Sequence, residues 1–389
     1  MTTMTAVSKI EDDGERARSP ESAVAPVAAP PAEEVKQSAG LGPRCTRLVK
    51  WFELLGFTWF VPLVYIAAGV SRGFYVRSLV RMVGLPLLAI AVFLGAWQLL
   101  GSGVSLNEKE VPTPAIVGER LIDFFYTQPM EQGVKEAAYE AEMLEMADGD
   151  MALYTEMLAE FPFESDPSIY TKIGSSLVTV FTGFLIAALI AIPIGIVSGL
   201  SRSVHEAMNP IIQVLKPISP IAWLPVFYAI LLAVKAQQYD SVGAEFPVDF
   251  AFLVAAVVVA VCSLWPTLLN TANGVANVDR DYLNVSRVLN HGWFTRVFRV
   301  VLPASLPMVF TGLRLSLSIG WMVLIAAEML SNSNGIGLFI WEMYNNGSSD
   351  SITVMLVAVI AIGVIGFALD RAMIVLQKMV SHGAAAEVR

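Results

Sequence analysis

Residues 279–303 combine helix-forming, polar and turn-forming types between two apolar runs. A helix-forming run is followed by a break from Asn290 to Gly292, and a second amphipathic run ends at Leu302-Pro303. Asparagine tolerates a positive φ angle, so Asn290 can make a tight turn. Pro303 has no backbone donor and is tolerated where a helix starts. The pattern predicts two short helices joined by a rigid turn on a membrane surface, which can pass force between a soluble partner and the membrane.

The rest of the sequence lacks the spacing of a catalytic or metal site. It contains no Gly-x-x-x-x-Gly-Lys-[Ser/Thr] motif, so it lacks the usual loop for ATP phosphates. Cys45 and Cys262 lie far apart, as do His205, His291 and His382, which argues against a disulfide framework or a metal cluster. No Ser-His-Asp arrangement or pair of intramembrane carboxylates indicates an enzyme. We expect no catalytic residue, cofactor or metal in this chain.

Polar and aromatic side chains inside apolar runs are the other candidate functional residues. Polar groups are costly in lipid, so they usually face a cavity or a partner. The candidates for a translocation pathway or gate are Glu328, Trp321, Arg314, Trp223 and Asn270. Glu328 can serve a gate or network, or can be a satisfied structural carboxylate or lie at the interface. Arg314 can attract an anion leaving a pore or can be a snorkelling interface arginine. An aromatic belt explains the tryptophans without a ligand.

The composition is that of a membrane protein. Of 389 residues, 55% are hydrophobic and 15% charged, and the mean hydropathy is +0.62. A soluble domain carries about 25% charged residues. The net charge of −9 argues against nucleic acid as a partner, because phosphate binding needs a basic face.

Six segments are long enough to cross a bilayer as helices, since about 18 apolar residues are needed at a rise of about 1.5 Å each. They are 83–100, 173–200, 211–234, 249–269, 304–330 and 352–376. Small residues in and beside the second segment let helices approach closely; they include Gly174, Gly183, Gly195, Gly199 and Ser176. The sequence therefore predicts an all-α polytopic membrane protein.

The residues before the first span form two regions, 1–43 and 44–82. Residues 1–43 are rich in Ala, Pro, Ser and Glu and have no apolar stripe, which predicts a disordered tail. The second region contains an ambiguous apolar run, 54–70, with basic residues on both sides. They are Arg44, Arg47 and Lys50 upstream and Arg72, Arg77 and Arg81 downstream. A crossing would place one basic group outside, so an interfacial or re-entrant helix is favoured over a span.

The charge distribution orients the six spans. Within the region 101–172, residues 101–171 contain 15 Asp and Glu against three basic residues, a net charge of −12 that suits the outer side. The loop 270–303 contains four arginines against two aspartates, and the C-terminal tail, 377–389, contains Lys378 and Arg389. The positive-inside rule then places that loop and both termini in the cytoplasm.

The acidic region contains its own helices. Residues 131–161 show two acidic amphipathic patterns that break at Asp148-Gly149-Asp150. Charge runs usually mark solvated helices, so this insertion is either a solvated cap or a landing surface for an external partner.

Four runs resemble the permease subunits of binding-protein-dependent ABC importers. They are KPISPIAWLPVFYAILL (216–232), SLWPTLLNTANGVANVDRDYLNVSRVL (263–289), FTGLRLSLSIGWMVLIAAEML (310–330) and GIGLFIWEMYN (335–345). Permeases for nitrate, bicarbonate, cyanate and related anions look most similar, and taurine and alkanesulfonate permeases look less similar. The resemblance covers about 83–376, with the core at 173–376, and leaves out the tail, 54–70 and the acidic stretch 129–168.

The family signature is Glu-Ala-Ala, three residues, Gly, and about a dozen residues to Leu-Pro. Aligned on Leu302-Pro303, it places the Glu-Ala-Ala at Asn284, Val285 and Ser286, and the Arg, Leu and Gly at Arg287, Leu289 and Asn290; Gly292 follows in the turn. The acidic residue and the glycine are replaced, so a contact made by the family's glutamate is not carried over. The spacing, Arg287, Leu289 and the Leu-Pro end remain.

The resemblance implies a type I ABC importer permease in the bacterial inner membrane, with 279–303 as a cytoplasmic coupling loop. A separate ATPase subunit would use ATP and Mg, and a periplasmic or lipid-anchored binding protein would deliver the substrate. Two permease copies would form a homodimer surrounded by membrane lipid. The implied cargo is nitrate (or nitrite), with bicarbonate, cyanate, taurine or alkanesulfonate as alternatives.

Two other classes of protein compete with this interpretation. A self-contained channel or secondary transporter is less well supported, because the sequence shows no internal repeat and no regular set of buried charges for ion coupling. A membrane-bound enzyme has no supporting motif.

Overall fold

The computed structural model describes residues 43–54, 60–69, 72–102, 105–106, 109–110, 112–147, 150–161, 168–238 and 248–387. The tail expected at 1–43 lies outside them except for Pro43, as do residues 55–59 and 70 of the ambiguous run. The described chain divides near Leu87 into two compact units, and each is described by itself.

The N-terminal unit is helical. Helix α1 is Pro43–Leu54, α2 is Val61–Ala67, and α3 (Arg72–Leu79) continues through a π turn (Val80–Gly84) into α4 (Leu85–Gly101). Aromatic stacking of Tyr65 on Tyr75, with ring centroids 4.6 Å apart, joins α2 to α3. The described part of 54–70 contains only the seven-residue α2, which is too short to cross a bilayer.

The second unit opens with the acidic region. Two strands of two residues each, Ser105–Leu106 and Lys109–Glu110, pair in antiparallel fashion. They are followed by α5 (Pro114–Ile122), a π turn (Asp123–Thr127), α6 (Gln128–Met146) and α7 (Met151–Glu160). The two acidic helices expected in 131–161 are therefore confirmed as α6 and α7. The Asp150 side chain accepts hydrogen bonds from the first N–H groups of α7, so the break between them is also a helix start.

The remaining helices form the bundle. They are α8 (Ile169–Leu200), α9 (Arg202–Leu215), α10 (Pro220–Gln238), α11 (Phe250–Ala276), α12 (Arg280–Val288), α13 (Trp293–Arg296), a π turn (Val297–Val301), α14 (Leu302–Ser331), α15 (Ile336–Asn346) and α16 (Ser349–Glu387).

Six described helices are long and apolar enough to cross a membrane, as the sequence predicts. They are Gly73–Gly101, Ile169–Leu200, Pro220–Gln237, Phe250–Ala276, Trp293–Ser331 and Asp350–Val380. The all-α, six-span prediction is thereby confirmed.

Three of these helices have bounds that differ from the predicted spans. The helix that contains the first span begins at Gly73, ten residues before 83, because the basic residues of α3 do not interrupt the helix. The third begins at Pro220 and not at 211, since Pro217 and Pro220 end the preceding α9. The fifth is one continuous helix from Trp293, so the second short helix expected before Pro303 continues directly into the helix that contains the fifth span.

The core lies around α11, which packs against α8 on one side and α14 on the other. Gly183 and Gly199 on α8 meet α11 so closely that an added Cβ would lie 2.7 Å and 2.5 Å from the carbonyl oxygens of Ala256 and Ala272. Gly312 on α14 meets Asn270 Cβ and Thr267 Cα on α11 at 2.9 Å by the same measure. The expected close approach is therefore present at these glycines, whereas Gly174 has open space around it.

A side-chain hydrogen bond supports α11 where proline interrupts its backbone ladder. Pro266 lies inside the helix, and the next residue, Thr267, donates its backbone N–H to Ser316 Oγ on α14 at 3.1 Å. The Thr267 and Ser316 hydroxyls also lie 2.7 Å apart. A backbone donor beside an intramembrane proline is thus satisfied by the neighbouring helix.

We predict that Gly183→Ala lowers the apparent free energy of unfolding in detergent by about 1–3 kcal/mol, because the new methyl group must displace backbone of α11. Gly174→Ala on the same helix is the matched control and should be neutral or stabilising by up to about 1 kcal/mol, since alanine favours helix. Thermal unfolding of both variants in one detergent measures the difference. Equal stability of the two variants would contradict the close approach of α8 and α11.

Candidate functional site

The turn after α12 is a hydrogen-bonded helix end. Asn290 has φ +51°, its N–H donates to Arg287 O at 2.9 Å, and the N–H of His291 donates to Ser286 O at 3.1 Å. This pair of bonds around one left-handed residue is the Schellman motif, whose left-handed position glycine or asparagine usually occupies. The expectation that Asn290 makes the turn is confirmed. The structure also explains how asparagine fits where the resembling family has glycine.

The turn exposes an apolar surface. Val285, Val288 and Leu289 are 58%, 85% and 60% exposed, and Trp293 and Phe294 continue this surface beyond the turn. Asn284 and Arg287 lie exposed beside it, with Arg287 Nη1 donating to Asn284 Oδ1 at 3.4 Å. Gly292 begins α13 in an extended conformation with open space around its Cα. Apolar side chains on a hydrophilic helix end of this kind mark a surface that binds a protein or a membrane.

The inner side of the turn is fixed to the bundle. Ser286 is 1% exposed, with its Oγ 3.5 Å from His291 Nδ1. Leu283 and Leu302 pack on a cluster of Ile196, Val275 and Val301, which joins the ends of α8, α11 and the π turn. The turn is therefore packed against the ends of α8 and α11 and against the π turn.

The π turn lets the helix continue through Pro303. The N–H of Leu302 donates to Val297 O, five residues back, and Pro303 needs no donor. The resulting helix has 39 residues from Trp293 to Ser331, which at about 1.5 Å per residue is about 58 Å long. It joins the Asn290 turn to Glu328 without a break.

Glu328 lies near the other end of this helix and is completely buried. Its Oε2 accepts hydrogen bonds from Ser176 Oγ on α8 and from the backbone N–H of Gly337 on α15, both at 2.9 Å. Ser176 Oγ also accepts the backbone N–H of Ile336 at 2.9 Å. Glu328 and Ser176 together therefore satisfy the first two N–H groups of α15, which otherwise lack partners within the helix.

Two glycines make room for this carboxylate. A Cβ at Gly335 would lie 2.2 Å from Glu328 Oε1, and one at Gly337 would lie 2.8 Å from Glu328 Cβ. Gly335 is also the residue before α15 and has no side chain with which to cap the helix. Glu328 thus takes the place of a local cap and joins α8, α14 and α15.

Arg314 forms an ion pair between two spans. Its Nε and Nη2 donate to the two carboxylate oxygens of Asp370 on α16, at 2.6 Å and 3.1 Å. Because Asp370 pairs with Arg314, Arg314 attracts a free anion less strongly than it would without this partner. The structure therefore favours a role in joining α14 to α16.

The other pathway candidates make different polar contacts, although Trp321 and Trp223 belong to the same hydrophobic cluster. Trp321 is buried and donates its indole N–H to Ile362 O on α16 at 3.1 Å. Trp223 stacks on Phe227, and its indole nitrogen has no partner among the described residues. Asn270 donates to Pro266 O within α11.

The structure brings the turn residues together, and of the five pathway candidates it places Trp223 and Trp321 in one hydrophobic cluster. No hydrogen bond or ion pair within the described ranges joins Glu328 to Arg314. Sequence reasoning missed Asp370 and Gly337, and it treated Ser176 as a packing residue. Nothing local could have paired Ser176 with Glu328, which lies 152 positions away along the chain.

At the end of the bundle that carries the acidic helices, Arg120 on α5 pairs with Asp123 and with Asp350 of α16. The hydrogen bond to Asp350 raises the pKa of Arg120. The Tyr139 hydroxyl donates to Phe161 O at 2.9 Å, which joins α6 to the end of α7. The acidic helices are therefore attached to each other, and α5 is attached to a spanning helix.

Comparison with known proteins matches residues 191–382 to the model of the binding-protein-dependent transport system inner membrane component. The nitrate import permease protein NrtB of Synechocystis sp. is 33% identical over 295 residues, 76% of this chain and 88% of the relative. The bicarbonate transport system permease protein CmpB of Synechococcus elongatus is 37% identical over 60% of this chain and 80% of its own length. A putative aliphatic sulfonates transport permease protein, SsuC of Bacillus subtilis, is 31% identical over 41% of this chain and 52% of its own length.

The family match covers the bundle from the end of α8 to α16, including the turn at Asn290 and, of the Glu328 network, Glu328 and Gly337 but not Ser176. The chain is thus an integral, multi-pass membrane protein, and it belongs to the family of inner membrane components of binding-protein-dependent transport systems.

Proposed function

We propose that this chain is the pore subunit of an ATP-driven importer of a small inorganic anion, with nitrate as the first candidate. The named relatives form a nitrate, bicarbonate and sulfonate group, and two of the matches named for nitrate import cover 73–76% of this chain. Nitrite shares the charge and similar size of nitrate. Bicarbonate, cyanate, taurine and alkanesulfonate are the alternatives within the same machinery.

The observation that carries the proposal is the exposed turn at Asn290 and its continuity with a spanning helix. Val288 and Leu289 offer apolar contacts to a groove in a separate ATPase subunit, and Arg287 offers a charged contact beside them. Tryptophan and arginine are enriched among the side chains that dominate the energetics of protein interfaces, and Trp293 and Arg287 are both exposed here. Force applied here would move the helix from Trp293 to Ser331 as a unit.

The sequence contains no phosphate-binding loop of the Walker type, so the partner subunit supplies ATP hydrolysis and its Mg²⁺. In this arrangement the Asn290 turn faces the cytoplasm, both termini are cytoplasmic, and two copies of the chain enclose the pathway. The positive charge of the loop 270–303 and the net charge of −12 in 101–171 support this orientation.

The acidic helices α6 and α7 then lie outside. We assign to them a landing surface for the substrate-binding protein, because their carboxylates would repel an anion and so do not suit anion binding. Docking here would act on the bundle through the Arg120 pair, which attaches α5 to the start of α16.

Glu328 is assigned to holding α15 in place. Its hydrogen bonds to Ser176 and Gly337 fix the start of this short helix at the outer end of the long helix. Movement of the long helix would therefore change the position of α15 in the same step. This is a network role and does not require contact with the anion.

We predict that Arg287→Asp combined with Leu289→Asp leaves the chain inserted but abolishes association with the ATPase subunit. The double variant replaces an apolar and a basic contact with two carboxylates on an exposed surface, so folding should be little affected. Pull-down of the ATPase subunit measures association, and Arg202→Asp on exposed α9 is the control. Association at the wild-type level would overturn the docking assignment.

We predict that Glu328→Ala and Ser176→Ala each lower the apparent free energy of unfolding by about 1–3 kcal/mol, because each leaves a buried N–H of α15 without a partner. Their effects should be non-additive, since both act on one network. Glu328→Gln keeps an acceptor oxygen and should retain most transport. A Glu328→Gln chain with normal stability and no transport would instead indicate that the charge itself is required.

Reconstitution tests the function directly. Proteoliposomes containing this chain, its ATPase and its binding protein should take up labelled nitrate only with ATP and with both partners present. Labelled bicarbonate and taurine in parallel vesicles decide among the alternatives. Uptake by the chain alone would favour a channel or secondary transporter.

A further inference from the structure

We propose that the N-terminal unit binds anionic phospholipid headgroups of the membrane in which the chain is embedded. The observations come from α1, α3 and the start of α4, all of which precede the region that matches the family model. This binding is independent of the transported anion.

Charge is the first observation. Residues 43–87 contain six basic residues and one acidic residue, Glu53, in a chain whose net charge is −9. Arg47, Arg77 and Arg81 are exposed, and none of them forms an ion pair with another described residue. These three arginines are therefore available to a partner other than the described residues.

The exposed face of α1 gives the chemistry of that partner. Arg47 and Leu48 lie four and three residues before Trp51, which places all three on one helix face, and Leu48 and Trp51 are 50% and 57% exposed. On another face of the helix Val49 is 7% exposed. A face that mixes arginine, tryptophan and leucine suits the boundary between headgroups and acyl chains. An acidic protein surface would satisfy the arginines but not the exposed apolar side chains.

The position of the other two arginines supports the same partner. Arg81 directly precedes the apolar run 82–97, and Arg77 lies one turn earlier, about 6 Å farther along the helix axis. The headgroup layer on each side of a bilayer is about 5–8 Å thick. Both guanidinium groups therefore lie within reach of the negative charge of lipid phosphates.

The test uses the full chain in liposomes of phosphatidylcholine and phosphatidylglycerol, with a spin label on one lipid or the other. We expect phosphatidylglycerol to be preferred at the protein surface. The triple variant Arg47→Gln, Arg77→Gln and Arg81→Gln should reduce that preference by at least about fivefold. Raising the salt from 0.1 M to 1 M should also reduce it, because the screening length falls from about 10 Å to about 3 Å.

Two controls separate charge from structure. The triple Arg-to-Lys variant keeps the charge and should keep the preference, and Arg202→Gln removes an exposed arginine that already pairs with Glu206. If the triple Gln variant does not insert, the lipid preference is measured for Arg47→Gln alone, since α1 lies outside the spanning helix. The proposal would be overturned if the wild-type chain showed no preference for phosphatidylglycerol, or if the triple Gln variant kept the wild-type preference. Absence of a preference in the wild-type chain would leave an acidic protein as the partner.

Discussion

Three spanning helices approach one another so closely that a single methyl group would collide with backbone or Cβ atoms between them. Gly183 and Gly199 bring α8 against α11, and Gly312 brings α14 against the same helix. Lipid supplies little hydrophobic driving force between helices, so this close packing and the hydrogen bonds that it allows hold the bundle together. The Thr267–Ser316 contact at the Pro266 interruption is one of those bonds. Both functional features lie on the helices that this packing positions.

The two features lie at opposite ends of one helix. At one end, the Asn290 turn presents apolar side chains and is fixed by the cluster around Val275 and Val301. At the other end, Glu328 supplies the cap that α15 lacks. Because the π turn at Val297–Val301 accommodates Pro303 without ending the helix, no hinge separates them at that proline. This continuity is the physical basis for the proposed transfer of force across the membrane.

Hydropathy and local backbone chemistry were enough to predict the six spans, the two acidic helices and the left-handed turn at Asn290. Each depends on residues close together in the sequence. Pro217 and Pro220 were also recognised in the sequence. The apolar residues around them were nevertheless interpreted as one span, so the break between α9 and α10 was not predicted.

Contacts between distant parts of the chain could not be predicted in this way. Glu328 was recognised as costly in lipid, yet its partners Ser176 and Gly337 depend on how three helices pack. The same is true of Arg314, whose sequence position suggests an interface residue and whose partner Asp370 lies on another span. A polar residue in a membrane helix indicates that a partner exists, and the fold decides which residue that partner is.

The most direct measurement of the central claim is labelling of a cysteine at position 288 by a membrane-impermeant maleimide, in a chain whose Cys45 and Cys262 are replaced by serine. Val288 is 85% exposed at the turn, so Val288→Cys should disturb the fold little. In inside-out membrane vesicles the account predicts rapid labelling when the ATPase subunit has been removed and protection when it is bound. Labelling only in right-side-out vesicles, or equal labelling with and without the ATPase subunit, would contradict it.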